Sequence, residues 1–166
     1  ALATVGAGLA MYAYGRRVLG RTRGLLAAVV YIYVPYHLAD IYVRAALAEY
    51  LAFVWMPLTL LAFHCLMEQV TARRLALAAL SFGALWMTHN VTGLAFTPLL
   101  AAYVLFRLIA ESSRGSDGWA AAWRGALERA SAAFGAAFLG LCIAGALLLP
   151  NLLERGYINE QQWVRA

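Results

Sequence analysis

Residues 75–106 carry no charged side chain over 32 consecutive positions. A single helix of that length would reach about 48 Å, well past the roughly 30 Å hydrocarbon core of a bilayer. His89-Asn90 interrupts the run near its middle, and Gly93 follows. The run therefore reads as two membrane spans joined by a tight hairpin. Further uncharged stretches cover 1–15, 24–39, 50–67 and 130–153. Measured against about 20 mostly apolar residues per span, they predict an all-α, polytopic transmembrane helical bundle. Six spans are expected, near 1–15, 24–39, 50–67, 72–88, 92–109 and 131–149, the first of them short.

Composition agrees with that reading. Charged residues make up 13% of the chain, against about 25% in an ordinary soluble domain. Mean hydropathy is +0.71. These values exclude a disordered chain, a nucleic-acid binder with a solvated basic face, and nearly all soluble enzyme classes. Residue 1 already lies in an apolar stretch with no charged leader before it. The expectation is one transmembrane domain over 1–166 that forms part of a longer polypeptide. Cys65 and Cys142 both sit in apolar runs, as small core residues rather than a disulfide or metal pair.

Every one of the 13 basic residues is arginine. Arg16, Arg17, Arg21 and Arg23 fall between the first two expected spans, and Arg73 and Arg74 between the third and fourth. Arg107, Arg114, Arg124 and Arg129 fall between the last two, and only Arg44, Arg155 and Arg165 are left for the opposite side. The positive-inside rule places the larger group in the cytoplasm. The 110–130 stretch is then a cytoplasmic loop. Its Trp119, Trp123 and Leu127 recur at helical spacing, and Arg124 and Glu128 stand four apart. That pattern predicts an interfacial amphipathic helix. Gly135, Gly140 and Gly145 recur every five residues, which is not one helical face.

Polar groups are costly at membrane depth, so those gathered opposite the arginines are candidates for function. They include Tyr36, His37, Asp40, Arg44, Glu49, His89, Asn90, Asn151, Glu154 and Arg155. On a continuous helix Tyr33, His37, Asp40 and Arg44 share one face, although Pro35 can break it. Asp40 and Arg44 are then i,i+4 partners, whereas Glu49 sits about 140° round from Arg44 and points elsewhere. Two readings stand for this loop. Arg44 holds an anionic headgroup or lipid-linked phosphate, with Asp40 or Glu49 as base or positioning group; or the pair is a structural salt bridge. Likewise His89 and Asn90 either bind substrate, through a titratable imidazole and an amide, or simply form the hairpin turn. His64 beside Cys65 reads as a satisfied core histidine. No metal site, phosphate loop or cofactor motif is present, and a divalent cation is left open.

The stretch Tyr36-His37-Leu38-Ala39-Asp40-Ile41-Tyr42-Val43-Arg44-Ala45-Ala46-Leu47-Ala48-Glu49-Tyr50, followed by Trp55-Met56-Pro57-Leu58, resembles a bacterial family of polytopic membrane proteins. Thr88-His89-Asn90, and Pro150-Asn151-Leu152-Leu153-Glu154 with Tyr157, fit the same pattern. The family is labelled as related to 6-pyruvoyl-tetrahydropterin synthase. It in turn resembles the GT-C integral-membrane glycosyltransferases. That resemblance implies sugar transfer from a polyprenyl-phosphate donor at the outer face of the bacterial inner membrane, and no pterin chemistry. It also implies a catalytic acid in a first outer loop, yet no Asp or Glu precedes Asp40. Arg44, Glu49, His89 and Asn90 would then support the donor, with Asp40 and Glu49 as the candidate carboxylates. The alternative expectation is a non-catalytic membrane subunit packed within a larger complex, with lipids as its other partners and no nucleic acid.

Overall fold

The computed structural model describes residues 2–112 and 119–153, and all of its regular structure there is helical. Seven α-helices run in chain order: α1 (Leu2–Leu19), α2 (Arg21–Ile32), α3 (Pro35–Ala39), α4 (Leu47–Glu68), α5 (Ala72–Thr88), α6 (Asn90–Ser112) and α7 (Trp119–Leu153). A π-helical turn, Asp40–Arg44, joins α3 to α4. The breaks follow local chemistry. Gly20 separates α1 from α2 at φ 90°, a conformation that suits a residue without Cβ. Pro35 takes the first position of α3, as its missing N–H favours. Thr71 caps α5 by accepting from the Arg74 N–H at 3.3 Å.

Three helices are long and apolar enough to cross a membrane: α4, α6 and the 123–150 part of α7. A fourth span results if α2 and the segment Pro35–Arg44, bent by 40° at the break between them, are taken together. The six-span expectation is thus supported for three or four. Arg16 and Arg17 fall inside α1, and α5 is only 17 residues long with Arg73 and Arg74 in its first turn. Nor is the 110–130 helix a separate element. From Trp119 onward it continues without a break through the last expected span, because no proline stands between Gly118 and Pro150. At 35 residues α7 extends about 52 Å, beyond the bilayer core. Trp123 and Leu127 stay exposed on its first turns. Among the described residues no ion pair joins Arg124 to Glu128; Arg129 instead reaches Glu111 of α6 at 2.9 Å.

The helices pack in the sequence α2–α1–α4–α5–α7, with α6 against α4, α5 and α7. The main core gathers Phe63, Leu66 and Met67 of α4, Phe82 and Leu85 of α5, Phe96 and Leu100 of α6, and three alanines of α7. Gly140 lets α7 approach α5 closely: a Cβ there would lie 2.8 Å from the Ala79 carbonyl oxygen. Many large apolar side chains, among them Leu9, Leu26, Val30, Leu94, Leu105, Phe106 and Phe134, remain exposed. Lipid tails are as apolar as leucine, so in a bilayer this surface carries no penalty.

The alternating helices send polar groups to two ends. One end holds the α1–α2, α4–α5 and α6–α7 connections and is rich in arginine. The other holds the α2–α4 connection and the α5–α6 hairpin at His89.

Candidate functional site

The site at the arginine-poor end is built by a break in helical phase. Had the helix run on from Tyr33, Arg44 and Glu49 would have pointed apart. Instead α2 stops at Ile32 and α3 restarts at Pro35. The π-helical turn follows, closed by the Ala46 N–H donating to the Asp40 carbonyl at 3.1 Å. Ala45 then adopts φ 51°, a left-handed conformation that costs a non-glycine residue roughly 1–2 kcal/mol. The chain reverses direction there, and the first turn of α4 brings Glu49 back over Arg44. This corrects the expectation that Glu49 points elsewhere.

Arg44 Nη1 donates to Asp40 Oδ1 at 2.8 Å, to the Tyr36 hydroxyl at 3.1 Å, and sits 3.0 Å from Glu49 Oε2. Tyr36 donates its hydroxyl proton to Glu49 Oε1. The i,i+4 pairing of Asp40 and Arg44 is therefore present, and Glu49 and Tyr36 complete a closed cluster. Asp40 is wholly buried, and its Oδ2 has no hydrogen-bond partner. Arg44 keeps 53% of its side chain exposed, and the contacts described here all use Nη1. One guanidinium against two carboxylates leaves a single negative charge when all three are ionised.

Aromatic packing holds this cluster in place. His37 is buried and stacks on Phe53 with centroids 4.0 Å apart, while Tyr31 meets it edge-on at 4.6 Å. Tyr31 donates to the Phe53 carbonyl at 2.8 Å, and Tyr50 donates or accepts with Thr4 of α1 at 2.9 Å. His37 is thus a packing element, and Tyr33, expected on the same stripe, is exposed at the end of α2.

Below the cluster opens a cavity of about 370 Å³. Tyr36 and Glu49 stand on its wall, and Phe53, Met56, Phe96 and Leu99 make it apolar; Val91 and Thr92 close the α6 side. Of the four candidate binding residues, Arg44 and Glu49 are joined directly. His89 approaches only through a neighbour: its Nδ1 accepts from the Thr92 N–H at 3.3 Å and lies 2.7 Å from the Thr92 hydroxyl. That geometry caps the start of α6, so the turn reading of His89 is present in the structure. Asn90 is exposed at the first position of α6 and is not on the cavity wall. Glu154, Arg155 and Tyr157 lie outside the described residues, as does Arg114 of the arginine-rich end.

A second polar cluster, at the arginine-rich end, was missed in the sequence. His64 is satisfied, as expected, but by Tyr103 of α6 at 2.6 Å rather than by Cys65. Arg107 lies against the same imidazole, at 3.2 Å from Nε2, and pairs with Glu111, which Arg129 of α7 also reaches. Glu68 pairs with Arg17 of α1 at 2.5 Å and lies 3.5 Å from His64. The signal was available: Tyr103, Arg107 and Glu111 fall four apart on α6, and His64 and Glu68 four apart on α4. Both cysteines are free.

A family model described as a 6-pyruvoyl-tetrahydropterin synthase related domain, membrane protein, matches residues 1–160. The chain belongs to that family. No curated protein and no solved structure matches it.

Proposed function

We propose, on the premise that the chain is a membrane protein of that family, that it binds the polar head of a polyprenyl-phosphate-linked sugar at the Tyr36–Glu49–Arg44 cluster, as a GT-C-like glycosyltransferase does. One observation carries this reading: Glu49, on the wall of a largely apolar cavity, is joined to a half-exposed guanidinium. The cavity takes the first isoprene units. The outward edge of Arg44 takes the phosphate, for which a planar guanidinium is well suited. Glu49, on the cavity wall, is placed to accept the proton of an attacking hydroxyl, while Asp40, wholly buried, positions Arg44 and touches no ligand. His89 holds Thr92, which lies on the cavity wall, and Asn90 stands beside it at the start of α6. The cluster faces the outer side of a bacterial inner membrane, since the positive-inside rule assigns the arginine-rich end to the cytoplasm.

A second reading is favoured by a different observation: Arg44 already meets two carboxylates and a phenol. On that reading the cluster is a structural brace, and the chain is a non-catalytic subunit of a larger membrane complex.

Binding separates the two. The full-length protein in detergent micelles is titrated with farnesyl phosphate and, in parallel, with farnesol. Under the first reading the phosphate binds at least tenfold more tightly than the alcohol, and Arg44→Gln removes the difference while the helical circular dichroism is unchanged. Equal binding of the two ligands, or a preference that survives Arg44→Gln, defeats the assignment and leaves the brace.

A further inference from the structure

A groove of about 530 Å³ lies between α4 and α5, away from the cluster just described. Trp55 and Cys65 mark its two ends on α4, and Ala84 and Arg74 the matching ends on α5. Ten residues separate the ends on each helix, about 15 Å at 1.5 Å per residue, which is the depth of one leaflet of a roughly 30 Å core. Leu77 and Leu80 line it and are about half exposed, at 51% and 55%. The groove is therefore apolar, open to the side, one leaflet deep, and closed by an arginine at the interface.

The charge at that end is net positive, with Arg17, Arg73 and Arg74 against Glu68, which pairs with Arg17 and also feels Arg74. Arg74 donates to the main-chain carbonyls of Cys65 at 2.8 Å and Gln69 at 3.4 Å. Among the described residues no ion pair involves Arg73 or Arg74, and Glu68, nearby in sequence, is taken up by Arg17. Arg73 is exposed beside them in the first turn of α5.

We propose that this groove seats one acyl chain of an anionic glycerophospholipid, with the headgroup phosphate held by Arg73 and Arg74. Charge complementarity selects the anionic headgroup, and the depth of the groove selects a chain lying within one leaflet. Anionic lipid heads attract arginines near a membrane surface in this way.

The test reconstitutes the full-length protein in vesicles of nine parts phosphatidylcholine to one part phosphatidylglycerol. The protein is then extracted in mild detergent, and the retained lipids are identified by native mass spectrometry. Phosphatidylglycerol is expected to be retained several-fold above its share of the vesicle. Leu80→Trp, which fills an exposed part of the groove, and Arg73→Gln, which removes an exposed charge, should each return retention to that share with the helical content unchanged. Retention at the bulk ratio in the unmodified protein overturns the proposal, as does retention of both lipids alike. So does enrichment that survives both substitutions, and a groove filled instead by a partner helix would appear as no retained lipid.

Discussion

Gly135 and Gly140 stand on the same helix, five residues apart, and the same substitution should have opposite effects at the two. At Gly140 a Cβ would lie 2.8 Å from the Ala79 carbonyl oxygen, 3.0 Å from a Phe82 ring carbon and 3.1 Å from the Gly83 nitrogen. Ordinary contact begins at 3.4 Å, so α5 and α7 must part by about half an ångström, and two of the three neighbours are backbone. Overpacking of that kind costs about 1–3 kcal/mol. A gap of 0.5–1 Å also forfeits a quarter to a half of the dispersion well at each contact along the seam. At Gly135 a Cβ meets nothing within 4 Å. There the substitution keeps only its helix-propensity gain, up to about 1 kcal/mol over glycine. Gly140→Ala gains the same propensity, so the two variants should differ by about 1–3 kcal/mol in favour of Gly135→Ala. For a chain of this size that is a separation of about 2–12 °C in melting temperature. Thermal unfolding in one detergent, followed by far-ultraviolet circular dichroism, reads it. Equal melting temperatures, or a more stable Gly140→Ala, would refute the close approach of α5 and α7.

Other consequences follow from the two polar clusters. Glu49→Gln removes the surplus negative charge beside Arg44, so it should tighten farnesyl phosphate binding a few-fold while abolishing any sugar transfer; weaker binding would contradict the charge count at the site. Arg107→Met leaves Glu111 to Arg129 alone and the buried His64 to Tyr103, and should destabilise the fold by about 1–2 kcal/mol, less than for a charge left with no partner. In the same unfolding assay Arg107→Met combined with Glu111→Gln should cost less than the sum of the two single changes, and strict additivity would show that the two residues are not coupled. Ala45→Gly should stabilise the protein by up to about 1 kcal/mol by relieving its left-handed backbone, whereas Ala45→Val should destabilise it; equal effects would place Ala45 in an ordinary conformation.

Much of this architecture could be read from residue order alone. Pro35 announced the break that ends α2, and His89-Asn90 announced the hairpin between α5 and α6. The Asp40–Arg44 pair followed from four-residue spacing. The return of Glu49 did not, because it depends on a π-helical turn and one left-handed alanine, and alanine carries no local signal for either. The number of spans also resisted counting. Hydropathy marks where charge is absent, but α1 incorporates Arg16 and Arg17 into its last turn, and α7 runs unbroken through a stretch whose composition resembled a separate surface helix. The glycine series was read correctly as lacking a single face: only Gly140 meets the neighbouring helix closely. The second polar cluster lay hidden because its partners come from four helices, although two of its spacings were visible.

The proposed function requires a membrane between the Tyr36–Glu49 cluster and the arginine-rich end. In a Cys65→Ala, Cys142→Ala background, single cysteines are introduced at exposed Tyr42 and at exposed Thr22, between Arg21 and Arg23. Intact cells are then treated with a membrane-impermeant maleimide. Tyr42→Cys should react at once and Thr22→Cys only after the cells are permeabilised. Reaction of both from the same side would contradict the account.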